Sequence, residues 1–361
     1  MHILHVVGAR PNFMKAAPVM SALTARAGAV QTLVHTGQHY DANMSQVFFG
    51  ELGLPTPDVN LGVGSGSHAA QTAEVMRRFE TIVLDRKPDL VLVYGDVNST
   101  LAAGLVCAKL TVPVGHVEAG LRSFDRTMPE EINRALTDRI ADFLFTPSSD
   151  ADENLRREAI GANRIHCVGN VMIDTLVRLL PRAMDRWAAV RERLGLPEKF
   201  GLVTLHRPSN VDHPAKLRAL VDALKKTGSI LPLVFPVHPR TSRQLTELRT
   251  SDVTGLRVTD PLGYIEFLAL QRHATLVVTD SGGIQEETTF LHVPCLTIRP
   301  NTERPATVTL GSNILIGDDF ERLQKEVQRV VTGRGKTGQV PPLWDGHAAE
   351  RIADVIVRAG L

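Results

Sequence analysis

The sequence has little cysteine: three residues among 361, Cys107, Cys167 and Cys295. They are far apart and form no CxxC pair, which argues against both a disulfide framework and a zinc site. We therefore expect no metal site, and a chain that works in the reducing cytosol.

The sequence also lacks a charge excess and long apolar runs. Its 40 basic and 39 acidic residues leave a formal charge of +1, so no overall field favours nucleic acid or an anionic membrane. The apolar run before Arg10 is too short for the core of a signal peptide, and no later run is long enough to span a bilayer. We expect a cytoplasmic protein with no nucleic-acid or membrane partner.

A GxGxxG fingerprint is missing after the first apolar run, where the chain reads GARPNFMK. NAD binding of the usual kind is therefore not expected, which removes hydride transfer as a route for chemistry. The glycine-containing loop at 62–67 lacks the strand-turn-helix context of a dinucleotide fingerprint. We expect no cofactor.

Short apolar runs alternate with amphipathic helical patterns along the chain. Predicted strands cover residues 3–7, 32–35, 90–94, 112–117 and 143–146, and then 202–205, 232–236, 256–258, 276–279 and 295–298. Predicted helices cover residues 71–84, 100–110, 216–226 and 320–331. Strands that are apolar on both faces indicate parallel sheets covered by helices. We predict an α/β fold with two Rossmann-like domains rather than one closed barrel, and a seam near residues 169–180.

The ends of the first-half strands carry charged residues, and ligands of open α/β sheets bind at the carboxyl ends of strands. Arg10 and Lys15 follow the first strand and would supply cations to a diphosphate; two solvated surface charges are the alternative. Asp96 and Glu118 follow two later strands. Grouped acids act as general bases or stabilise an oxocarbenium-like centre, although Glu118 could instead pair with Arg122. We favour a functional role for both acids.

Two further acids stand in the segment GHVEAGLRSFDRTMPEEINR. Pro129 marks a helix start, and acidic residues are stabilising in the first turn of a helix. Glu131 and Arg134 are three residues apart, which predicts a salt bridge on the helix surface. Glu130 and Glu131 are therefore not equivalent, and we interpret Glu131 as structural.

The second half has its own polar strand ends, and the clearest is DSGGIQEE at residues 280–287. Small residues at a strand-to-helix junction leave backbone N–H groups to face an anion, with Glu287 one turn on to accept from ribose hydroxyls. The alternative is that Asp280 or Ser281 only caps the helix. His206 follows another strand as a neutral donor, a proton donor to a leaving phosphate, or a satisfied core group.

Taken in order, these motifs resemble those of the non-hydrolysing UDP-N-acetylglucosamine 2-epimerases. The matching segments are GARPNFMKAAPV, HTGQHYD, GDVNST, HVEAGLRS, MPEEINR, GNVMID, TLHR, PVHPR, TDSGGIQEE and RPNTERP. The resemblance implies a GT-B architecture: two Rossmann-like domains, an interdomain cleft and a final helix that returns to the first domain. The N-terminal domain would comprise residues 1–170 with 348–361, and the nucleotide-binding C-terminal domain residues 171–347.

The resemblance also implies site residues. The catalytic positions of the family match Asp96, Glu118, Glu130 and His206. Its substrate and UDP positions match Arg10, Lys15, Gln38, Arg207, His238, Ser281, Gly282, Gly283 and Glu287. Asn12 departs from the glutamate of many bacterial members, and no arginine stands at residues 64–70, so we do not expect allosteric control by substrate.

The implied reaction is the conversion of UDP-N-acetylglucosamine to UDP-N-acetylmannosamine through anti elimination of UDP, a 2-acetamidoglucal intermediate and re-addition. The resemblance further implies a homodimer that supplies precursors of surface polysaccharide. Alternatives are an epimerase of a 3-acetamido or uronic acid UDP-sugar, and a hydrolysing epimerase that releases N-acetylmannosamine and UDP. Two other classes are a GT-B glycosyltransferase and a non-catalytic nucleotide-sugar binding protein.

Overall fold

The fold is that of a computed structural model, which describes residues 1–38, 50–237, 244–245 and 255–360. The chain forms two compact units. The first comprises Met1–Arg178 and Pro342–Leu361, and the second comprises Leu179–Pro341. The expected domain boundary at 170/171 stays a prediction. No helix in the described ranges is long and apolar enough to cross a membrane.

The first unit contains a seven-stranded parallel sheet. Its strands are β1 His2–Val7, β2 Val30–His35, β3 Val59–Asn60, β4 Leu90–Tyr94, β5 Val114–Val117, β6 Phe143–Thr146 and β7 Ile165–Cys167. Its helices are α1 Arg10–Ala27, α2 His68–Arg86, α3 Asn98–Lys109, α4 Pro129–Ile140, α5 Ser149–Arg157, α6 Val171–Arg193 (which continues into the second unit) and α13 Ala348–Ala359. The strand order is β3-β2-β1-β4-β5-β6-β7, so the direction of winding reverses between β1 and β4. Such a reversal is where open α/β sheets bind their ligands.

The second unit repeats this plan with six parallel strands. They are β8 Gly201–Thr204, β9 Leu233–Pro236, β10 Leu256–Thr259, β11 Leu276–Thr279, β12 Cys295–Thr297 and β13 Asn313–Leu315. The helices are α7 Pro208–Val211, α8 Pro214–Gly228, α9 Tyr264–His273, α10 Gly282–Phe290, α11 Pro305–Thr309 and α12 Phe320–Val331. The order β10-β9-β8-β11-β12-β13 reverses between β8 and β11, which brings the chain after Thr204 beside the chain after Thr279.

Both sheets lie between helical layers, as their apolar strands require. The core of the first unit joins strand residues such as Val91 and Val93 to Phe79 of α2 and Val106 of α3. The core of the second unit packs Val203 and Phe235, among others, against apolar residues of α8 and α12. Fully burying one such side chain contributes roughly 1.5–3 kcal/mol. The predicted α/β class with two Rossmann-like parallel sheets is confirmed.

The differences from the predicted elements are local. The strand predicted at 112–117 begins at Val114, because Pro113 has no N–H for the ladder and Thr111 has a φ of 57°. The helix predicted at 71–84 begins earlier, at His68, where the Ser67 hydroxyl accepts a hydrogen bond from the N–H of Ala70. Strands β3, β7 and β13 were not predicted, since two or three residues are too few to make an apolar run.

The C-terminal helix α13 belongs to the first unit through one buried carboxylate. Asp174 of α6 accepts hydrogen bonds from the N–H groups of Ala348 (3.1 Å) and Ala349 (2.7 Å), and so caps the helix from another part of the chain. Trp344, just before the helix, donates from its ring nitrogen to the carbonyl of Pro147 at 2.9 Å. These bonds attach the last helix without any contribution from its own N-cap side chain.

One buried polar chain crosses the centre of the first sheet. The Tyr94 hydroxyl and His5 Nδ1 are 2.6 Å apart, and His5 Nε2 lies 2.9 Å from the side-chain oxygen of Gln31. The amide nitrogen of Gln31 then donates to the Met20 carbonyl and the Thr24 hydroxyl. A neutral imidazole that accepts from Tyr94 and donates to Gln31 satisfies every member of the chain.

Lowering the pH should reduce the free energy of unfolding because of His5. Burial lowers the pKa of His5 from 6.5 to about 4, although the bond to Gln31 acts in the opposite direction. The unfolded chain therefore binds a proton between these two values that the folded chain does not bind. The free energy of unfolding should fall by roughly 3 kcal/mol as the pH decreases through this window.

Urea unfolding measured at several pH values between 4 and 7 checks this expectation. A His5→Gln variant keeps a polar side chain but does not titrate, so its stability should depend less steeply on pH than that of the unchanged protein. Identical pH dependence in the two proteins would contradict the assignment.

Candidate functional site

The polar strand ends of the first unit come together because the register places them side by side. Tyr94, the last residue of β4, pairs with Val117, the last residue of β5. The chain therefore leaves the sheet at the same level before Asp96 and before Glu118. The turn after β1 is tied to this edge by Asn12, which accepts from the N–H groups of Gly8 and Ala9 (both 3.0 Å) and donates to the Tyr94 carbonyl at 2.7 Å.

Lys15 and Glu118 form a buried ion pair at this edge. The Lys15 ammonium donates to Glu118 Oε2, and only 5% and 8% of the two residues is exposed. Glu118 has a φ of 77°, in the left-handed region that costs most residues about 1–3 kcal/mol. Arg122, the alternative partner, bonds instead to Asp138 and Glu158. The Lys15–Glu118 pair therefore forms although burial removes both charges from water and the backbone of Glu118 is strained.

Gly95 packs directly against this ion pair. Its φ is 64°, and a Cβ at this position would come within 2.8 Å of Lys15 Nζ and 3.2 Å of Glu118 Oε2. A glycine is required on both counts, because any side chain would be strained and would displace the charged groups.

Asp96 is held by helix α4. Arg134, itself buried, donates to Asp96 Oδ2, and Asn133 donates to the backbone carbonyl of Asp96 at 2.9 Å. The carboxylate of Asp96 is partly exposed, whereas its partners are buried. Two residues of one helix therefore orient an acid that follows a strand.

The two acids at the start of α4 differ as predicted. Glu131 is buried and bonds to Arg134 at 2.6 Å; it also accepts from the N–H and hydroxyl of Ser123 and from the N–H of Phe124. These bonds make Glu131 the anchor of the preceding loop. Glu130, one residue earlier, is exposed.

Gln38 lies at the end of the neighbouring strand β2, where it is buried. Its side-chain oxygen accepts from the hydroxyl (2.7 Å) and the N–H (3.2 Å) of Ser99, and the hydroxyl of Ser99 lies 2.8 Å from that of Thr36. Gln38 is thus connected to the beginning of α3. His238, a predicted UDP-binding residue, lies outside the described residues.

In the second unit, Asp280 organises the turn that carries His206. The carboxylate is fully buried and accepts from the N–H groups of His206 (3.1 Å) and Arg207 (3.0 Å) and from the side chain of Asn210 (3.0 Å). Its Oδ1 lies 3.1 Å from His206 Nδ1, while more than half of the His206 side chain is exposed. Burial alone would raise the pKa of Asp280, but these hydrogen bonds hold it below its usual value.

Helix α10 begins at the double glycine of the DSGG motif. Ser281 occupies the N-cap position, but its side chain makes no capping hydrogen bond, and Asp280 bonds to the His206 turn. Gly282 faces a charged pair, since a Cβ there would come within 2.7 Å of Glu303 Oε1. Further along α10, Glu287 is buried and accepts from the Tyr264 hydroxyl at 2.8 Å.

Charged side chains of the segment RPNTERP lie close to the start of α10. Glu303 bonds to Arg299 (2.6 Å) and Arg304 (2.5 Å), and Arg304 Nε lies 2.9 Å from Glu286. Arg207 lies 3.7 Å from Glu303. The motif was recognised in the sequence, but no role was assigned to Glu303 or Arg304.

Several residues that organise these strand ends were not predicted as site residues. They are Asn12, Arg134, Asp280, Glu303 and Arg304. Each acts through a partner distant in sequence, and only the motifs that contain them were visible. No group of three or more His, Cys, Asp or Glu side chains that could hold a metal ion occurs in the part of the chain that the structure describes.

The family model described as UDP-N-acetylglucosamine 2-epimerase matches residues 21–357. The UDP-N-acetylglucosamine 2-epimerase of Methanocaldococcus jannaschii is 42% identical over 364 residues, 99% of each chain. The UDP-2,3-diacetamido-2,3-dideoxy-D-glucuronate 2-epimerase of Pseudomonas aeruginosa is also 42% identical, over 99% of this chain and 100% of its own.

The fold comparison agrees. A crystal structure of the Methanocaldococcus jannaschii epimerase in complex with UDP-GlcNAc and UDP has a TM-score of 0.91 at 41% identity, and covers 99% of this chain and 100% of that one. Two Rossmann-like sheets with charged groups at their strand ends thus define an α/β enzyme of GT-B-like fold. The chain belongs to the UDP-N-acetylglucosamine 2-epimerase family and is an isomerase of that family. The resemblance that the motifs indicated is confirmed.

Replacing Gly95 by alanine should impair turnover more than stability. The new methyl group would displace the Lys15 ammonium and the Glu118 carboxylate, and a displacement of about 1 Å at a reacting centre costs on the order of 10²-fold in rate. The measurement is the steady-state epimerase rate together with the melting temperature. Gly28→Ala is the control, because Gly28 also has a positive φ but a Cβ there meets nothing within 4 Å. Equal rates in the two variants would contradict the expectation.

Proposed function

We propose that the protein converts UDP-N-acetylglucosamine to UDP-N-acetylmannosamine without hydrolysing it. The observation that carries this proposal is the buried Lys15–Glu118 pair beside Asp96, at the carboxyl ends of adjacent strands, in a chain of this family. Ligands bind at that edge of an open sheet. In this proposal the pair supplies a cation for the leaving diphosphate and an acid for the reacting carbon.

The proposed chemistry follows from the acidity of the sugar. The C2 proton of an N-acetylhexosamine has no adjacent carbonyl, so direct removal by a carboxylate faces a very high barrier. Breaking the C1–O bond lets UDP leave with the electron pair, and the positive charge that develops at C1 acidifies the C2 proton. A carboxylate takes that proton, which gives UDP and 2-acetamidoglucal. Protonation of C2 on the opposite face and re-addition of UDP at C1 complete the epimerisation.

Acid and base groups in this scheme come from the first unit. We assign Asp96, Glu118 and Glu130 to proton transfer at C2, where positioned acids contribute about 10²–10⁴-fold each. Lys15 and Arg10 provide positive charge for the diphosphate that departs, and Gln38 contacts the sugar. The carboxylate of Asp96 is oriented by buried Arg134 and is partly exposed, so it is accessible to a ligand.

Nucleotide recognition in this proposal uses the second unit. The N–H groups of Gly282 and Gly283 and the hydroxyl of Ser281 at the start of α10 favour an anion, because the helix dipole adds about half a positive charge there. Glu287 accepts from ribose hydroxyls, and Arg207 and His238 complete the UDP-binding set.

His206 is assigned as the proton donor to the leaving phosphate. Its Nδ1 is directed at the buried carboxylate of Asp280, so Nε2 is the ring atom left for the ligand. Asp280 fixes both the ring and the turn that carries it, which makes the proton available at one defined atom.

The identity of the sugar has a second candidate. The Pseudomonas aeruginosa relative, named for a 2,3-diacetamido glucuronate, is as similar in sequence as the UDP-N-acetylglucosamine epimerase from Methanocaldococcus jannaschii. Epimerisation of a UDP-sugar with a 3-acetamido or uronic acid group is therefore the alternative substrate assignment, with the same proton chemistry at C2.

Proton NMR of the purified protein with UDP-N-acetylglucosamine in deuterated water tests the proposal. A second UDP-sugar anomeric signal, with deuterium at C2 and no added cofactor, is the expected result. Release of free N-acetylmannosamine and UDP would assign the protein to the hydrolysing enzymes. An unchanged spectrum would overturn the proposed substrate, and the diacetamido glucuronate would then be supplied; turnover only with an added sugar acceptor would indicate a transferase.

The adjacent acids Glu130 and Glu131 should respond differently to the same change. Glu130→Gln removes an exposed base and should lower turnover by about 10²–10⁴-fold with little change in melting temperature. Glu131→Gln removes the anchor of the Ser123–Phe124 loop and should lower the melting temperature, because it weakens four hydrogen bonds, three of them buried. Steady-state kinetics and thermal unfolding of both variants provide the comparison. A normal rate for Glu130→Gln would remove that residue from the mechanism.

We also propose that the protein is a cytoplasmic homodimer whose product enters surface-polysaccharide synthesis. Its three cysteines are free thiols, as expected in a reducing compartment. Helix α4 exposes Ile132 and Leu136 one turn apart, an apolar surface suited to a second copy. Light scattering in solution measures the mass, and a value near that of one chain would exclude the dimer.

A further inference from the structure

His116 is a buried histidine that the proposed mechanism does not use, and it lies two residues before Glu118. His116 is on β5, and neither it nor its partner Asp138 on α4 is exposed at all. His116 Nδ1 lies 2.7 Å from Asp138 Oδ1, and His116 Nε2 lies 2.8 Å from the backbone carbonyl oxygen of Gly95.

Both ring nitrogens of His116 face atoms that accept hydrogen bonds. The Gly95 carbonyl can only accept. Burial would raise the pKa of Asp138, but its interactions with His116 and Arg122 outweigh burial and lower it, so this carboxylate is an acceptor too. The ring of His116 is thus held between a carboxylate of α4 and a backbone carbonyl after β4, and its Nε2 can only donate to that carbonyl.

The pair connects the two strand ends that carry the acids. The carbonyl that His116 holds belongs to the peptide bond between Gly95 and Asp96. The other oxygen of Asp138 accepts from the N–H of Gly120 at 3.1 Å, two residues after Glu118. Asp138 is thus hydrogen-bonded to the turn after β5, and His116 is hydrogen-bonded to the turn after β4.

Close packing leaves this arrangement little freedom. Arg122 donates to the same oxygen of Asp138 at 2.7 Å and forms a two-pronged bond with Glu158, with both distances 2.7 Å. Gly120 has a φ of 80°, and a Cβ there would come within 2.5 Å of the Ala151 carbonyl oxygen. A shift of either turn would break at least one buried charged hydrogen bond, which is costly away from water.

We propose that His116 and Asp138 are positioning residues that fix the Asp96 and Glu118 turns relative to each other for proton transfer at C2. The proposal rests on the proposed function for the identity of the reaction. It does not require either residue to touch the substrate. Its physical content is that one buried histidine–aspartate pair sets the geometry of two acids from different strands.

Asp138→Asn and His116→Gln test this role, because each replaces one member of the pair with a polar residue. Each variant should lose about 10²-fold in kcat, the cost of a displacement of about 1 Å at the reacting atoms. KM and the affinity for UDP, measured by calorimetry, should change much less than kcat, since most of the assigned nucleotide groups, such as Ser281 and Glu287, lie in the second unit.

His5→Gln is the matched control. His5 is an equally buried histidine on another strand of the same sheet, but its bonds go to side-chain atoms of Tyr94 and Gln31 rather than to the backbone of the turns after β4 and β5. It should lose stability at neutral pH and keep its kcat. A purely structural role for His116 would give the same pattern in both histidine variants, with kcat per folded molecule unchanged, and that result would overturn the proposal.

A second readout is independent of the substrate. Nitrogen-15 NMR of the histidine rings should show a proton on His116 Nε2, the nitrogen that faces the Gly95 carbonyl, in the unchanged protein. An Nε2 without a proton overturns the proposal whatever sugar is turned over. Failure of the unchanged protein to epimerise UDP-N-acetylglucosamine would count against the proposed function instead, and the kinetic comparison would then use the diacetamido glucuronate.

Discussion

The parallel pairing of β4 with β5 is the constraint on which the rest of the first unit depends. This register ends both strands at the same level, so the residues that follow them meet although they are more than twenty positions apart in the chain. Lys15 reaches the same point from the helix after β1. The carboxyl ends of parallel strands lie at one edge of the sheet. Gly95 has no side chain, which leaves room at that edge for the Lys15 ammonium and the Glu118 carboxylate.

Burying charge at this edge is costly, and the structure offsets that cost with dense hydrogen bonding. Glu131, Asp138 and, in the second unit, Asp280 each accept at least three hydrogen bonds and are almost wholly buried. These carboxylates are structural, yet Glu131 directly follows Glu130 in the chain and Asp280 contacts His206, and both of those neighbours are assigned to chemistry. The buried acids orient the turns around them, whereas the more exposed acids, Asp96 and Glu130, are assigned to proton transfer.

The helical spacing of Glu131 and Arg134 correctly predicted their salt bridge, because both partners lie on one helix. The pairing of Glu118 with Lys15 rather than Arg122 could not be read from spacing, since its partner comes from a distant strand end. Asp280 shows the same limit. As a residue before a double glycine it looks like a helix cap, whereas its actual partners, His206 and Asn210, lie about seventy residues earlier in the chain.

The sequence by itself determined the α/β class, the number of sheets, most of the strands and the family, because apolar periodicity and ordered motifs are local properties of the chain. The tertiary structure alone decided that Glu118 pairs with Lys15, which acids are buried, and that His116 connects two strand ends. Those outcomes depend on strand order and register. Both are set by packing energy summed over the whole sheet, and no short stretch of residues contains that information.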